Sequence, residues 1–256
     1  MADMPALAAR TTLYIVIGSD LTTTPMGRPL VGWSDSWYAE RVSKRIKTGL
    51  TADETTSMIE AAAFARSQGW MPTKFITIRL APDGVTLPKG VAQERVRAFL
   101  KHARDWLRYH EVDLVHVWVI ENASRLGTIH QHVHMLAYCP EHLYAGWQRH
   151  QRGWMKAAGI PWRKDAIKTE PAGQSLVQFK GLLRYFGKGL EDGTWREHLR
   201  IEDRGPQGLV IGKRRGCSQN IGDLARARHY AALNARGIPA PRGGRWHPTT
   251  VQRVEA

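Results

Sequence analysis

The sequence predicts an α+β chain on three observations. Short apolar runs of strand length alternate with longer stretches of helical spacing. Two of the strand-like runs are joined by a turn short enough to require an antiparallel pair. The clearest helical stretch carries one apolar stripe.

In chain order, residues 13–17 (Leu-Tyr-Ile-Val-Ile) read as a strand ending at Gly18-Ser19-Asp20. Residues 21–35, with Pro25, Gly27, Pro29 and Gly32, read as loop or extension. Helices are expected over about 36–47 and from Thr51-Ala52-Asp53-Glu54 to about Gln68, where Gly69 stops the second. A strand over 74–80 is closed by Pro82-Asp83-Gly84. A helix follows over 93–110, with Val96, Phe99, Leu100, Ala103, Trp106 and Leu107 on one face. Residues 113–121 form a strand, 122–128 (with Gly127) a hairpin-length turn, and a second strand returns from it. Helix is expected over 141–156, loop or short strand over 161–173, and a second strong helix over 175–190. Glycine-rich basic sequence follows over 205–216, then a short helix over 223–233 and a tail without core material from Pro239. There is no internal repeat. The expected division is an N-terminal, partly helical extension over 1–72 packed on the core, a central domain over 73–200, and a basic, partly flexible segment over 201–256.

The 256 residues, 43% of them hydrophobic, are ample for a large core. Lysine and arginine number 37 against 23 acidic residues, a formal net charge of +14, which points to a polyanionic partner and to nucleic acid before membrane. Ten Trp, seven Tyr and five Phe are interleaved with the cations, and flat rings beside cations suit stacked single-stranded bases. Cys139 and Cys217 are far apart without zinc spacing, which fits a reducing cytoplasm. No apolar run has membrane-spanning length, and residues 1–9 do not read as a signal peptide.

The chemistry concentrates in His130-Gln131-His132-Val133-His134. A strand sends alternate side chains to opposite faces, so the three imidazoles share one face. That face is either wet, with solvated histidines, or holds a metal ion. Glu121 ends the preceding strand, and the short hairpin brings it across from the start of the histidine strand. A carboxylate with two imidazoles makes a divalent-cation site with open positions. Register is not fixed by sequence, so the third ligand is Glu121 or His130.

The helix over 175–190 carries Phe179, Leu182, Leu183, Phe186 and Leu190 as a stripe, with Tyr185 on its flank and Lys188 on the same side. Gly181 and Gly189 stand four residues before and after Tyr185. Each is disfavoured in a helix by about 1 kcal/mol relative to alanine, which suggests space kept beside the ring. A phenol is a weak nucleophile at neutral pH; a metal on the phosphate and a nearby cation make its attack feasible.

A strand over 75–80, a helix, a strand ending in Glu121, the His132-Val133-His134 strand and then Tyr185-Phe186-Gly187-Lys188 resemble the HUH endonucleases. The order is that of single-tyrosine rolling-circle replication initiators. Relaxases of that superfamily carry the tyrosine before the histidines. The resemblance covers about residues 73–190. It implies a central antiparallel sheet with flanking helices, related to the RNA-recognition fold. It further implies Mg²⁺ or Mn²⁺ on His132 and His134 with Glu121 as third ligand. Tyr185 would attack a phosphodiester of single-stranded origin DNA, keep the 5′ phosphate, release a 3′ hydroxyl and later reseal the strand. Lys188 would orient the phosphate or assist the tyrosine. His130 departs from the family pattern, since two histidines suffice, and leaves His130/His132 as an alternative pair. Expected DNA contacts are Lys180, Arg184 and the loop Lys213-Arg214-Arg215, with Trp33, Trp37, Arg41, Lys44, Arg45 and Lys47 as weaker candidates. No Gly-x-x-x-x-Gly-Lys-Ser/Thr loop is present and little chain follows residue 190, so unwinding falls to a host helicase. A monomer in the cytoplasm of a plasmid or phage host is expected. The competing readings are a single-tyrosine transposase, a non-catalytic single-strand-binding protein on the same sheet, and a histidine-rich metal-binding protein.

Overall fold

A computed structural model describes residues 46–125, 128–173, 175–205 and 207–238. Its core is a five-stranded sheet in which every neighbouring pair is antiparallel. In chain order the elements are β1 (Ile46–Lys47), α1 (Ala52–Ser67), β2 (Lys74–Arg79), α2 (Val91–Tyr109), β3 (His116–Arg125), β4 (Thr128–Ala137), α3 (Tyr144–Ala157), β5 (Ile167–Pro171), α4 (Leu176–Phe186), α5 (Gly193–Leu199), β6 (Val210–Ile211), β7 (Arg215–Cys217) and α6 (Asp223–Ala235). The strand order is β5-β2-β4-β3-β7, and β1 and β6 pair separately. Among the described residues no helix is long and apolar enough to cross a membrane. The strand expected over 13–17 and the tail from Pro239 lie outside the described residues, as do Trp33, Trp37, Arg41, Lys44 and Arg45. Ile46 and Lys47, expected to end a helix, form β1 instead.

Alternation along each strand gives the sheet two apolar faces. One face presents Ile76, Ile78, Trp118, Ile120, Val133 and Met135 to α2 and α3. Phe99 of α2 and Trp147 and Trp154 of α3 are buried there, with the two indoles edge to face at 5.1 Å. The opposite face presents Val117, Val119 and Leu136 to α1 and α4. α1 begins at a capping box in which the Thr51 hydroxyl accepts from the Glu54 N–H and the Glu54 carboxylate accepts from the Thr51 N–H. α6 lies against α1, with Arg226 on Glu60 and Phe64 edge to face with Tyr230.

The β3–β4 hairpin is longer than its sequence suggests. Residues 122–125, read as turn, continue β3, and Arg125 pairs with Thr128. Asn-Ala-Ser-Arg has weak strand preference, but cross-strand pairing and the edge behind it override propensity. That edge is closed by the C-terminal segment. β7 pairs with Val117–Val119, the Arg214 carbonyl accepts the Ile120 N–H at 2.7 Å, and the Gln207 carbonyl accepts the Asn122 N–H at 2.9 Å. Gly208 adopts φ +72°, and a β-carbon there would collide with the Asn122 carbonyl oxygen, so the chain passes β3 only at a glycine.

Candidate active site

The second face is apolar only for part of its length. Val117 and Val119 on β3 give way to Glu121, Leu136 on β4 to His134 and His132, and Phe75 on β2 to Thr77 and Arg79. Register places Glu121 opposite His132 and Thr77 opposite His134, so two imidazoles and a carboxylate converge at one end of the sheet.

The His132 and His134 Nε2 atoms lie 3.0 Å apart, and the Glu121 Oε2 is 3.3 and 3.4 Å from them. Glu121, His132 and His134 are the group of potential metal ligands among the described residues, with their ligand atoms all within 4.8 Å of one another. Two ligands held at about 2.1 Å from one cation are separated by about 3.0–3.4 Å, for octahedral and tetrahedral angles respectively. The donor triangle therefore fits a divalent cation, and its imidazole–carboxylate chemistry suits one. The other ring nitrogens are already engaged. The His132 Nδ1–H donates to the His130 carbonyl at 2.8 Å, and the His134 Nδ1 meets the Thr77 hydroxyl at 2.9 Å. Such outer partners orient each ring; for His132 the bond leaves the Nε2 lone pair free to ligate. Phe75 stacks on the His134 ring at 5.5 Å and 14°.

Glu121 is 2% exposed, and its Oε1 has no hydrogen-bond partner. Burial alone would push its carboxyl up. The imidazoles of His132 and His134 and the Lys188 ammonium more than offset this and hold it well below the ordinary carboxylate range. The His134 imidazole is pushed down by burial and by the His132 and Lys188 charges, against the pull of Glu121. A neutral imidazole beside an ionised carboxylate is the state that ligates metal.

α4 brings the phenol to this group. Its N-terminus is fixed by a Ser175–Gln178 capping box. Phe179, Leu183 and Phe186 are buried against the sheet, each worth about 1.5–3 kcal/mol. That leaves Tyr185 at the edge of the buried stripe, half-exposed. Its hydroxyl is 3.1 Å from the His134 Nε2. The helix, expected to run to Leu190, ends at Phe186 in a 3₁₀ turn over Gly187–Gly189. Two glycines weaken the last turn, and the Gly189 carbonyl accepts the Leu50 N–H. The turn carries Lys188 inward, where its ammonium is 2.9 Å from the Glu121 Oε2 and 3.6 Å from the Tyr185 ring centroid.

Not every expected site residue joins the group. His130 instead hydrogen-bonds Asp83 at 2.7 Å, at the strand's exposed end. The Arg163 guanidinium and the His130 ring together pull the Asp83 carboxyl down to about 2. Gly181 does face open space, since a β-carbon there would meet nothing within 4 Å. Gly189 does not flank the ring; a β-carbon there would press on Gln207 at 3.2 Å. Arg214, expected in a DNA-contacting loop, is fully buried. Its guanidinium donates to the carbonyls of Lys47 and Gly208, both at 2.9 Å, and of Gln207 at 2.7 Å, so it offers nothing to a phosphate. Lys213 is exposed, Arg215 half-buried opposite Val119, and Lys180 and Arg184 half-exposed on α4. Lys47 pairs with Glu54.

Sequence reading passed over Thr77, Phe75 and the residues that face Tyr185 from beyond α5. Thr77 had a signal: a lone polar residue between Ile76 and Ile78 marks the face where the apolar layer stops.

An antiparallel sheet with flanking helices, two alternating histidines and a following tyrosine helix is a fold of the HUH type. Residues 73–190, from the start of β2 past the Lys188 turn, match the family model of the replication-associated proteins of the ORF2 type, and over those residues the chain belongs to this family of rolling-circle replication initiators. No curated protein and no solved structure matches the chain.

Proposed function

We propose that the protein nicks and rejoins single-stranded origin DNA, initiating rolling-circle replication of a plasmid or phage. The observation that carries this reading is the 3.1 Å approach of the Tyr185 hydroxyl to a nitrogen of the Glu121–His132–His134 group. Tyr185 is the nucleophile. Its oxygen forms a bond to the phosphorus, the bond to the 3′ oxygen breaks, and the 5′ phosphate stays on the tyrosine. The phenol loses its proton and the departing 3′ oxygen takes one up. Glu121, His132 and His134 would hold Mg²⁺ or Mn²⁺, which when bound would polarise the scissile phosphate. Lys188 sits over the phenol ring and stabilises negative charge as it develops on the oxygen. The 3′ hydroxyl, attacking the phosphotyrosine, reverses the step and reseals the strand. Lys180, Arg184, Lys213 and Arg215 supply DNA contacts.

The protein acts as a cytoplasmic monomer, with a host helicase unwinding the duplex; both cysteines are free thiols, as a reducing compartment requires. Incubation with single-stranded origin DNA and Mn²⁺ should give a covalent adduct resistant to denaturation. Binding without any adduct would leave a non-catalytic DNA-binding protein.

A further inference from the structure

A cavity of about 200 Å³ that takes no part in the nicking step opens beside the nucleophile, with Tyr185 and Lys188 on one wall and Arg200, Glu202 and Arg204 on the other. Arg184 closes one side, and Gly181 leaves the mouth open. The lining is strongly cationic. The Arg204 guanidinium carbon is 5.6 Å from the Tyr185 ring centroid, and its Nε and Nη2 both donate to the Glu202 Oε2, at 3.1 and 2.7 Å.

We propose that Arg200 and Arg204 form a subsite for a phosphate of the single strand next to the scissile one, and that Glu202 occupies it when no DNA is bound. This rests on Tyr185 being the nucleophile. Two observations carry it. The Arg204 fork already grips a single anionic oxygen, and a phosphate presents the same acceptor with more charge. The Glu202 side chain is 76% exposed and that of Arg204 51%, so their pair is weak and readily exchanged. Second, Arg200 adopts φ 54° and ψ 42° at the end of α5, the left-handed cap position that favours glycine. The backbone has no need of arginine there; a cation turned toward the nucleophile does.

The test uses the full chain and a labelled single-stranded oligonucleotide, with binding followed by anisotropy in EDTA across a salt series. Arg200→Gln and Arg204→Gln should each weaken binding on the order of ten-fold and lower the salt slope by about 0.7, the increment for one phosphate contact on a single strand. Glu202→Gln should tighten binding on the order of three-fold, while Glu197→Gln, an equal charge change on α5 outside the cavity, should not. Unchanged slopes in both arginine variants, or equal tightening by Glu202→Gln and Glu197→Gln, would overturn the subsite. A parallel incubation with Mn²⁺ separates the two readings. Wild-type adduct with unchanged slopes removes the subsite alone; lowered slopes with no wild-type adduct uphold the phosphate contact and remove the nuclease.

Discussion

Replacing Arg214 by methionine keeps the aliphatic stem and deletes the three donors that hold the carbonyls of Lys47, Gln207 and Gly208. Hydrogen bonds from a charged donor contribute about 1.5–3 kcal/mol each, so their loss taken alone is roughly 5–9 kcal/mol. The same change removes a fully buried charge, whose desolvation is unfavourable by several kcal/mol, leaving a net destabilisation of about 2–4 kcal/mol. At about 2–4 °C per kcal/mol for a chain of this size, thermal unfolding should move down by roughly 5–15 °C. The salt slope of single-strand binding should stay where it is, because no phosphate contact is lost. Exposed Lys213 is the internal control: Lys213→Ala should leave the melting temperature within about 1 °C and lower the slope by about 0.7. A melting temperature unchanged in Arg214→Met together with a reduced slope would refute the structural role and return Arg214 to the DNA surface.

Two further outcomes are expected. Mn²⁺ at a hundred times its dissociation constant should stabilise the protein by about 2.7 kcal/mol, raising the melting temperature by roughly 5–10 °C. The His132→Ala/His134→Ala variant should show no such rise, and a rise that persists in it would place the cation elsewhere. His116 is buried at the start of β3 with its Nδ1 unpartnered, and burial, with a smaller push from Arg104, takes its imidazole down from 6.5 to about 3. The unfolded chain therefore binds a proton between those values that the folded protein does not, so stability falls as the pH drops through that window, by up to about 1.4 kcal/mol per unit. His116→Asn should flatten the acid limb of a melting-temperature profile; an identical limb in wild type and variant would mean that another group sets it.

Much of the scaffold is written in local patterns. Residues 74–80 and the histidine strand alternate, α2 carries a clean stripe, and Thr51 and Glu54 announce the start of α1. The convergence of Glu121, His132 and His134 follows from a hairpin whose register brings the acid opposite the middle histidine. What stayed hidden depends on partners distant in sequence. β7 is a three-residue Arg-Gly-Cys strand defined by the β3 edge it meets, and no local preference marks it. α5 has a capping Asp192, whose side chain accepts the Trp195 N–H at 3.0 Å, but its seven residues are too few for a periodic signal. Arg214 looks like a surface cation because its partners are backbone carbonyls, which carry no residue identity. His130 shares the alternation of the other two histidines, and only Asp83, brought in by the turn after β2, takes it out of the group.

The most direct test is a denaturing gel of the full chain incubated with single-stranded origin DNA and Mn²⁺. The account expects a slower band carrying DNA, mapped by mass spectrometry to Tyr185, absent in Tyr185→Phe and on chelation, while Tyr185→Phe still binds the strand. An adduct of equal yield in Tyr185→Phe, or none from wild type under conditions where it binds the strand, would contradict it.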